Sequence, residues 1–415
     1  MTKIKKIYGI EVLDSRANPT LMTIVELENG IKAKAYAPSG ASKGNKEAIE
    51  IRDGEKRLNG LGIKKAIKNI ELISKKLKGN EITEQEKIDQ TLIELDGTTN
   101  MARLGANTTV SVSLACIKAA ALSKKKEVYQ LFGCKILPIP FMNVINGGVH
   151  AGNELSIQEF MIVPKNFKKF NDALWAGVEV YHILKNLIKQ KYGKNATNLG
   201  DEGGFAPPLK NTKQAIELLE SSIEESGYKN KIFIGLDAAA NSFFNQKEQK
   251  YFIDGKKMDS SELLEFWIEL IKSHKIISIE DPFEENSSFY FAELKKRIKN
   301  CQVVADDLTV SNLKLVKRAI AQNALHTLLL KVNQIGTLSQ AIETAKYCID
   351  KNIKVMISHR SGETEDNVLA DLGVGLGFGM IKTGAPARGE RTAKYNRLLE
   401  IENQLGKNAK FSKVI

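Results

Sequence analysis

Carboxylate side chains end three short apolar runs in the second half of the sequence. The runs KIFIGLD, KIISIED and QVVADD carry Asp237, Glu280 and Asp306 at their ends. Carboxylates that lie close together repel one another unless a cation lies between them, and a site of oxygen ligands alone selects a hard ion such as Mg²⁺ or Mn²⁺. Because Asp307 directly follows Asp306, only one of the two can point inward from a continuing strand, and we assign Asp306 to the site.

Two lysines end later apolar runs in the same way. Lys331 follows HTLLL, and Lys382 lies in GMIKTG. A buried lysine beside a bound cation has its pKa lowered, which turns it into a base. Such a base next to a divalent ion is suited to removing the proton beside a carboxylate, because the ion offsets the charge that develops. A simpler alternative, in which the acids only pair with these lysines, stays open at this point.

The stretch KVMISHRSGETED, residues 354–366, passes from an apolar run directly into His359, Arg360 and Ser361. These residues either return the chain to water or line a site at the end of a strand. A planar guanidinium beside a hydroxyl group binds a phosphate dianion better than a lone lysine does. The stretch therefore indicates a phosphate site.

Three loops offer further polar groups. ATNLGDEGGFAPP presents Glu202 on a tight turn, where a carboxyl group near other acids can stay protonated and act as a general acid. NGGVHAGNELSIQEF offers His150, Gln158 and Glu159 on a glycine-rich loop that runs into a strand. APSGASKG is a loop of small residues suited to moving over a ligand, with serine hydroxyls as metal or phosphate contacts.

The polar ends recur at the interval expected of βα units. From Asp237 to Lys382 the spacings are 43, 26, 25, 28 and 23 residues, which accommodate a strand, a helix and two loops. Repeated units of this kind predict a (β/α)8-type barrel, in which the C-terminal ends of the strands face one mouth. Six polar ends in the same register therefore predict a shared site at that mouth.

The N-terminal part follows a different pattern. The first 45 residues alternate apolar and polar side chains between turn signals, which predicts an antiparallel β-meander. From about Ala48 to Lys124 the apolar period is helical. The expected fold class is therefore α/β, with an α+β domain over residues 1–130 followed by the barrel over residues 131–415.

Composition excludes several classes of protein. The N-terminus lacks the apolar region of a signal peptide, and no stretch approaches the roughly 18 apolar residues of a membrane helix. The four cysteines are far apart, which favours a reducing cytoplasmic location, although a secondary cell-surface or secreted location stays open. The net charge of +12 favours anionic partners, but the lysines are mixed with glutamates along predicted helices rather than gathered in one arm.

The sequence resembles the enolase family. The blocks DSRANPT, APSGASKG, NVINGGVHAGNELSIQEF, TNLGDEGGFAPP, SIEDPF, ADDLTVSN, LLLKVNQIGT, SHRSGETED and IKTGAPARGERTAKYN are similar to the family's signature blocks and follow its order, from residue 14 to residue 396. This resemblance implies reversible dehydration of 2-phosphoglycerate to phosphoenolpyruvate with two Mg²⁺ ions per site. It further implies a homodimer, with an octamer as the alternative, and the family's barrel variant, whose first strands depart from plain βα alternation.

The resemblance also implies a role for each site residue. Lys331 would take the C2 proton, Glu202 would assist loss of the C3 hydroxyl group with support from Glu159, and Lys382 would face the substrate carboxylate. The other residues would hold the ions and the rest of the substrate: Asp237, Glu280 and Asp306 on the first Mg²⁺, Ser42 on the second, Arg360 and Ser361 on the phosphate, and His150, Gln158 and His359 around the pocket.

Four positions depart from the family pattern: Ala17 replaces a glycine, Lys43 a threonine, and Asn241-Ser242 the pair Ser-Glu. Two other functions are alternatives for this sequence. Another metal-dependent lyase or racemase of the superfamily would not need Arg360, Ser361 and Glu202 together. A non-catalytic protein that binds RNA or a surface partner would use the positive charge, but it would not need the site residues.

Overall fold

A computed structural model describes residues 2–40 and 44–415 of the chain. Two residues singled out from the sequence, Ser42 and Lys43, lie outside the described residues. Among the described residues, no helix is both long and apolar enough to cross a membrane.

The chain begins with the expected antiparallel meander. Strands β1 (Ile4–Leu13), β2 (Pro19–Leu27) and β3 (Lys32–Tyr36) pair in that order. The β1–β2 turn is held by Asp14, whose Oδ1 accepts hydrogen bonds from the backbone N–H groups of Arg16 and Asn18, both at 2.8 Å. Ala17, at the tip of this turn, has a φ of 58°, so the left-handed conformation is kept although glycine is absent.

We expect Ala17→Gly to stabilise the protein by about 0.5–1 kcal/mol. An alanine Cβ is strained at positive φ, and glycine relieves that strain at a smaller cost in unfolded-chain entropy. Thermal unfolding of the variant checks this. Ala102→Gly is the matched control, because Ala102 is also exposed but is not among the residues with positive φ; it should be destabilising. A melting temperature for Ala17→Gly at or below that of the wild type would contradict the argument.

The helical part of the N-terminal domain starts later than the sequence pattern predicts. Helices α1 (Lys64–Leu77), α2 (Gln85–Asp96) and α3 (Ala106–Ser123) follow an extended segment that begins near Ala48. Helix α3 is buried along almost its whole length because β2 and β3 cover one side while α1 and α2 pack beside it. Its small side chains, ANTTVSVSLACIKAAALS, allow this close packing.

Within the described residues, eight strands close into a barrel in the order β11-β12-β13-β14-β15-β5-β6-β7. All neighbouring pairs are parallel except those that β6 makes with β5 and β7. The strands are β5 (Ile139–Asn146), β6 (Glu159–Pro164), β7 (Ile232–Asp237), β11 (Ile276–Glu280), β12 (Gln302–Ala305), β13 (Thr327–Leu330), β14 (Lys354–Ser358) and β15 (Gly379–Lys382).

The reversed strand β6 matters for the site. Because β6 runs against its neighbours, its first residue, Glu159, lies at the same end of the barrel as the last residue of β7, Asp237, with which it is paired. Gln158 directly precedes the strand, and its backbone N–H group donates to the Asp237 carbonyl at 3.1 Å. A residue at the start of a strand thereby joins residues at the ends of the others.

Helices surround the barrel, and short strands form two small sheets outside it. The strand β4 (Ile136–Leu137) pairs with β16 (Lys410–Phe411), and β8 (Phe244–Asn245), β9 (Lys250–Ile253) and β10 (Lys256–Met258) form a small sheet after β7. The helices are α4 (Phe170–Tyr192), α5 (Thr212–Glu225), α6 (Ser260–Ser273), α7 (Ser288–Arg297), α8 (Leu313–Ala321), α9 (Val332–Ile335), α10 (Leu338–Asp350), α11 (Val368–Gly375) and α12 (Gly389–Leu405).

Candidate active site

Two of the predicted acidic residues, at the ends of adjacent strands, contact the same lysine. Asp237 and Glu280 are register partners on the adjacent strands β7 and β11. Lys382, at the end of β15 across the mouth, donates to Asp237 Oδ2 at 2.8 Å and to the two Glu280 oxygens at 3.0 and 2.9 Å. Its Nζ also lies 3.1 Å from Glu159 Oε1. Four buried charged side chains therefore form one cluster at the mouth.

The third predicted acid, Asp306, pairs with the second lysine. Asp306 directly follows β12, and its Oδ2 accepts a hydrogen bond from Lys331 Nζ. Its Oδ1 accepts from Gln334 Nε2 at 2.8 Å. Asp281 supports this arrangement because its carboxylate accepts the backbone N–H groups of Asp306 and Asp307, at 3.0 and 2.7 Å.

Neighbouring carboxylates raise the pKa of both lysines. Burial lowers the pKa of Lys331, but Asp306 and Glu280 together raise it, and the net shift is upward. Burial also lowers the pKa of Lys382, but Asp237, Glu159 and Glu280 together raise it well above its usual range. The lowered lysine pKa expected beside a bound cation stays a prediction, since carboxylates face both lysines in this structure.

A single small cavity of about 260 Å³ opens at this mouth. Glu280 and Asp306 lie beside it, bonded to two of its lysines. The side chains and backbone that line the cavity belong to Gly40, His150, Gln158, Glu159, Glu202, Asp237, Lys331, Ser358, His359, Arg360, Ser361 and Lys382.

Glu202 enters the cavity from the loop between α4 and α5. Its Oε2 accepts a hydrogen bond from Asn143 Nδ2 at 3.2 Å and lies 3.2 Å from His359 Nε2. Its Oε1 lies 3.8 Å from His150 Nδ1. All of these side chains are buried, so the carboxylate accepts one amide hydrogen bond and has two imidazole rings close to it.

The two glutamates of the cavity have opposite pKa shifts. Burial raises the pKa of Glu202, but the ring nitrogens of His359 and His150 and the Arg391 guanidinium hold it well below its usual range. Burial and the charge of Glu202 raise the pKa of Glu159 well above its usual range, against the opposing effect of Lys382. The two carboxyl groups are therefore shifted in opposite directions, and the role of Glu202 as a general acid stays a prediction.

Arg360 is held by a residue of the N-terminal domain. Its Nη1 and Nη2 donate to the two Glu47 oxygens at 2.9 and 3.1 Å, and Nη1 also donates to Asn333 Oδ1 at 3.2 Å. Glu47 in turn accepts hydrogen bonds from the Gly44 backbone N–H group at 3.1 Å and from Gln334 Nε2 at 3.3 Å. The segment after the small-residue loop is thus tied to the predicted phosphate ligand.

We expect Glu47→Ala to destabilise the protein by about 3–5 kcal/mol, because it removes the carboxylate partner of a buried guanidinium. Inorganic phosphate should recover more of the melting temperature in this variant than in the wild type, since the anion can take the place of the carboxylate beside Arg360. Thermal unfolding with increasing phosphate at constant ionic strength measures both effects.

Asp366→Ala provides the control for this experiment. Asp366 pairs with Lys118 between the barrel and the N-terminal domain, and both side chains are largely buried. The control should lose stability without any rescue by phosphate. Equal rescue of the two variants would show that Arg360 is not a phosphate ligand.

The structure places most of the predicted residues together. Ten predicted site residues line the cavity, Glu280 and Asp306 lie beside it, and Ser42 lies outside the described residues. Ser358, which also lines the cavity, was not identified from the sequence. Sequence reasoning missed Glu47, Asn333 and Gln334, although the last two lie in the quoted block KVNQIGT. It also missed Arg391, for which a signal existed: Arg391, Lys394, Tyr395 and Leu398 recur at helical spacing and are all buried on α12.

The donor set of the mouth fits a hard divalent cation. Asp237, Glu280 and Asp306 offer only carboxylate oxygens, and two of them already surround a positive group, the Lys382 ammonium. Buried atoms without a hydrogen-bond partner also point to a missing ligand, among them Glu159 Oε2, Gln158 Oε1 and His150 Nδ1. Donor atoms also lie within 4.8 Å of one another in two groups, His150/Glu159/Glu202 and Asp281/Asp306/Asp307.

Comparison with known proteins agrees with this arrangement. Residues 4–132 match the family description "Enolase, N-terminal domain", and residues 134–414 match "Enolase, C-terminal TIM barrel domain". An enolase of Methanocaldococcus jannaschii is 49% identical over 408 residues, which is 97% of this chain and 96% of the relative. Enolases of Saccharolobus islandicus and Saccharolobus solfataricus are 46% and 45% identical over 407 residues, with the same coverage of both chains. The chain belongs to the enolase family.

Proposed function

We propose that this protein is a glycolytic enolase, a hydro-lyase that reversibly dehydrates 2-phospho-D-glycerate to phosphoenolpyruvate and water. Lys331 takes the proton from C2, and Glu202 assists departure of the C3 hydroxyl group with support from Glu159. Arg360 and Ser361 hold the phosphate, and Lys382 holds the substrate carboxylate. His150, Gln158 and His359 complete the polar wall of the pocket.

The observation that carries this proposal is the placement of Lys331 and Glu202 on one cavity. Lys331 follows β13, whereas Glu202 is bonded to Asn143 of β5, three positions further round the barrel. A substrate in the cavity therefore meets the two groups from different sides. Elimination of water needs a base at one carbon and an acid at the next, and this arrangement supplies both.

Asp237, Glu280 and Asp306 would hold Mg²⁺. The ion would neutralise the carboxylate charge that raises the pKa of Lys331, and it would offset the second negative charge that develops on the substrate carboxylate. The enolase superfamily is itself the established example of this chemistry. We propose two ions per site, with Ser42 on the second. The chain's own contribution is to orient the acids, which β7, β11 and β12 fix as neighbours.

The assembly and the location of the protein are proposed from its exposed apolar side chains and its cysteines. We propose a homodimer because the edge strand β1 leaves Ile10 and Leu13 exposed at 43% and 69%, and apolar side chains on an edge strand favour burial against another chain. We propose a cytoplasmic location because all four cysteines are free, three of them buried. Sedimentation of the wild type and of Leu13→Glu tests the first of these proposals.

The proposed activity is tested by the ultraviolet absorbance of the enol phosphate product. Purified protein is given 2-phosphoglycerate with Mg²⁺, with the metal chelator EDTA, and with EDTA followed by excess Mg²⁺. The proposal predicts turnover in the first and third conditions and none in the second. D-glycerate, which lacks the phosphate, is the matched control and should not react; equal turnover of both substrates would favour another superfamily lyase. Absence of turnover under all conditions would reject the proposal.

A further inference from the structure

A buried arginine outside the predicted site contacts two of its loops at once. Arg391 lies in the first turn of α12 and is fully buried. Its Nη1 donates to His359 Nδ1 and to the Arg360 carbonyl, both at 2.6 Å. Its Nη2 donates to the Ser361 carbonyl and, at 3.1 Å, to the Asp201 carbonyl.

These contacts determine the tautomer of His359. A guanidinium can only donate hydrogen bonds, so His359 Nδ1 must be the acceptor and carry no proton. In a neutral imidazole the proton then resides on Nε2. That nitrogen lies 3.2 Å from Glu202 Oε2, so the N–H group is on the side of the carboxylate that handles the leaving hydroxyl group.

The same contacts keep the imidazole neutral. A second proton would have to enter at Nδ1, where the guanidinium already points its own hydrogen. Burial lowers the pKa of His359 to about 4, against the opposing effect of Glu202 and with a further lowering by Arg391. His359 is therefore a neutral side chain with its Nε2–H group facing Glu202, rather than an acid that exchanges protons near neutral pH.

The carbonyl contacts join the two halves of the site. Arg391 binds the backbone of residues 360 and 361, which carry the phosphate ligands, and the backbone of Asp201, which precedes Glu202. A shift of either loop would stretch hydrogen bonds to the same side chain. The distance between the phosphate end and the acid end of the cavity is thus set in part by one guanidinium.

We infer that Arg391 is a positioning residue, which fixes His359 as the neutral Nε2–H tautomer facing Glu202 and holds the loops at residues 201 and 359–361 in register. This inference rests on the proposed function for its catalytic consequence. The assignment of the His359 tautomer rests on geometry alone, and it can be measured independently of enzyme activity.

The first experiment is nitrogen NMR of the protein labelled at its histidines. The chain has five histidines, and the His359 signals are assigned by their loss in His359→Asn. The wild type should show a protonated Nε2 and an unprotonated Nδ1, unchanged from neutral pH down to about pH 5, below the ordinary histidine pKa. A protonated Nδ1 in the wild type would overturn the inference, whether or not the protein turns over 2-phosphoglycerate.

The second experiment compares variants of two arginines on the same helix. Arg391→Gln should mix the tautomers, bring the His359 titration back toward its ordinary range and lower kcat about a hundredfold, the loss typical of small misplacement of reacting groups, with a smaller change in KM. Arg391→Lys, which keeps the charge but cannot bridge four acceptors, should restore only part of kcat. If Arg391→Gln does not fold, the Arg391→Lys variant and the wild-type NMR spectrum still test the role of Arg391.

Arg397→Gln is the control for a purely structural effect. Arg397 is buried on α12 and bonds Asp371 through two nitrogens at 2.8 Å. This variant should lose stability while the His359 signals and the pH profile stay as in the wild type. Unchanged His359 signals in Arg391→Gln, or an equal loss of kcat in Arg397→Gln, would overturn the inference. No turnover by the wild type combined with the expected tautomer would reject the proposed function instead.

Discussion

Replacement of Lys331 by alanine is expected to lower kcat by about 10⁴-fold, the upper end of what a positioned general base contributes. Lys331 lines the cavity, and its side-chain nitrogen is oriented directly by Asp306. Without it, the proton at C2 has no acceptor placed against it. Steady-state turnover of 2-phosphoglycerate at saturating Mg²⁺ measures the loss.

Lys331→Arg separates catalysis from charge pairing. Arginine keeps a cation beside Asp306 and so preserves the fold, but it does not lose its proton in a protein. It should therefore be as inactive as the alanine variant while its melting temperature stays closer to that of the wild type. Lys118→Ala, which breaks an ion pair with Asp366, should keep its turnover. Activity of Lys331→Arg within tenfold of the wild type would remove Lys331 from the role of base.

Glu202→Gln is expected to lower kcat by about a thousandfold in both directions of the reaction. The amide keeps the size of the side chain and can still bond to Asn143 and His359, but it cannot pass a proton to or from the departing hydroxyl group. Turnover of 2-phosphoglycerate and hydration of phosphoenolpyruvate are measured with the same protein preparation.

The neighbouring acid supplies the control for Glu202. Asp201→Asn changes a carboxylate whose nearest charged partner is Arg16, at 3.9 Å, and whose contact with the site is through its backbone carbonyl. This variant should retain most of the activity. A loss in Asp201→Asn equal to that in Glu202→Gln would mean that the loop's net charge matters rather than the Glu202 side chain.

The barrel and its mouth were predictable from local sequence patterns. Each run such as KIISIED or HTLLLK combines a buried strand with one polar residue at its end, and parallel strands place those ends on one side. Glu159 did not follow that rule, because β6 runs in the opposite direction and its polar residue at the mouth, Glu159, is the first residue of the strand. It was found only as part of a glycine-rich loop next to His150.

Other features depend on contacts that no local pattern encodes. Glu47 and Arg360 are 313 residues apart, and neither neighbourhood indicates the other. The direction of the lysine pKa shifts depends on whether carboxylates or a cation face the lysines. Ala17 shows the reverse case: local hydrogen bonds to the Asp14 carboxylate keep the turn conformation although the preferred residue is missing.

Loss of the C2 hydrogen in deuterated water tests the central claim most directly. Proton NMR of 2-phosphoglycerate with Mg²⁺ follows exchange at C2 separately from loss of the hydroxyl group. If Lys331 removes the proton and Glu202 acts on the hydroxyl group, Glu202→Gln will exchange the C2 hydrogen while forming almost no phosphoenolpyruvate, and Glu202→Gln combined with Lys331→Arg will do neither. Continued exchange in the double variant would contradict the assignment of Lys331 as the base.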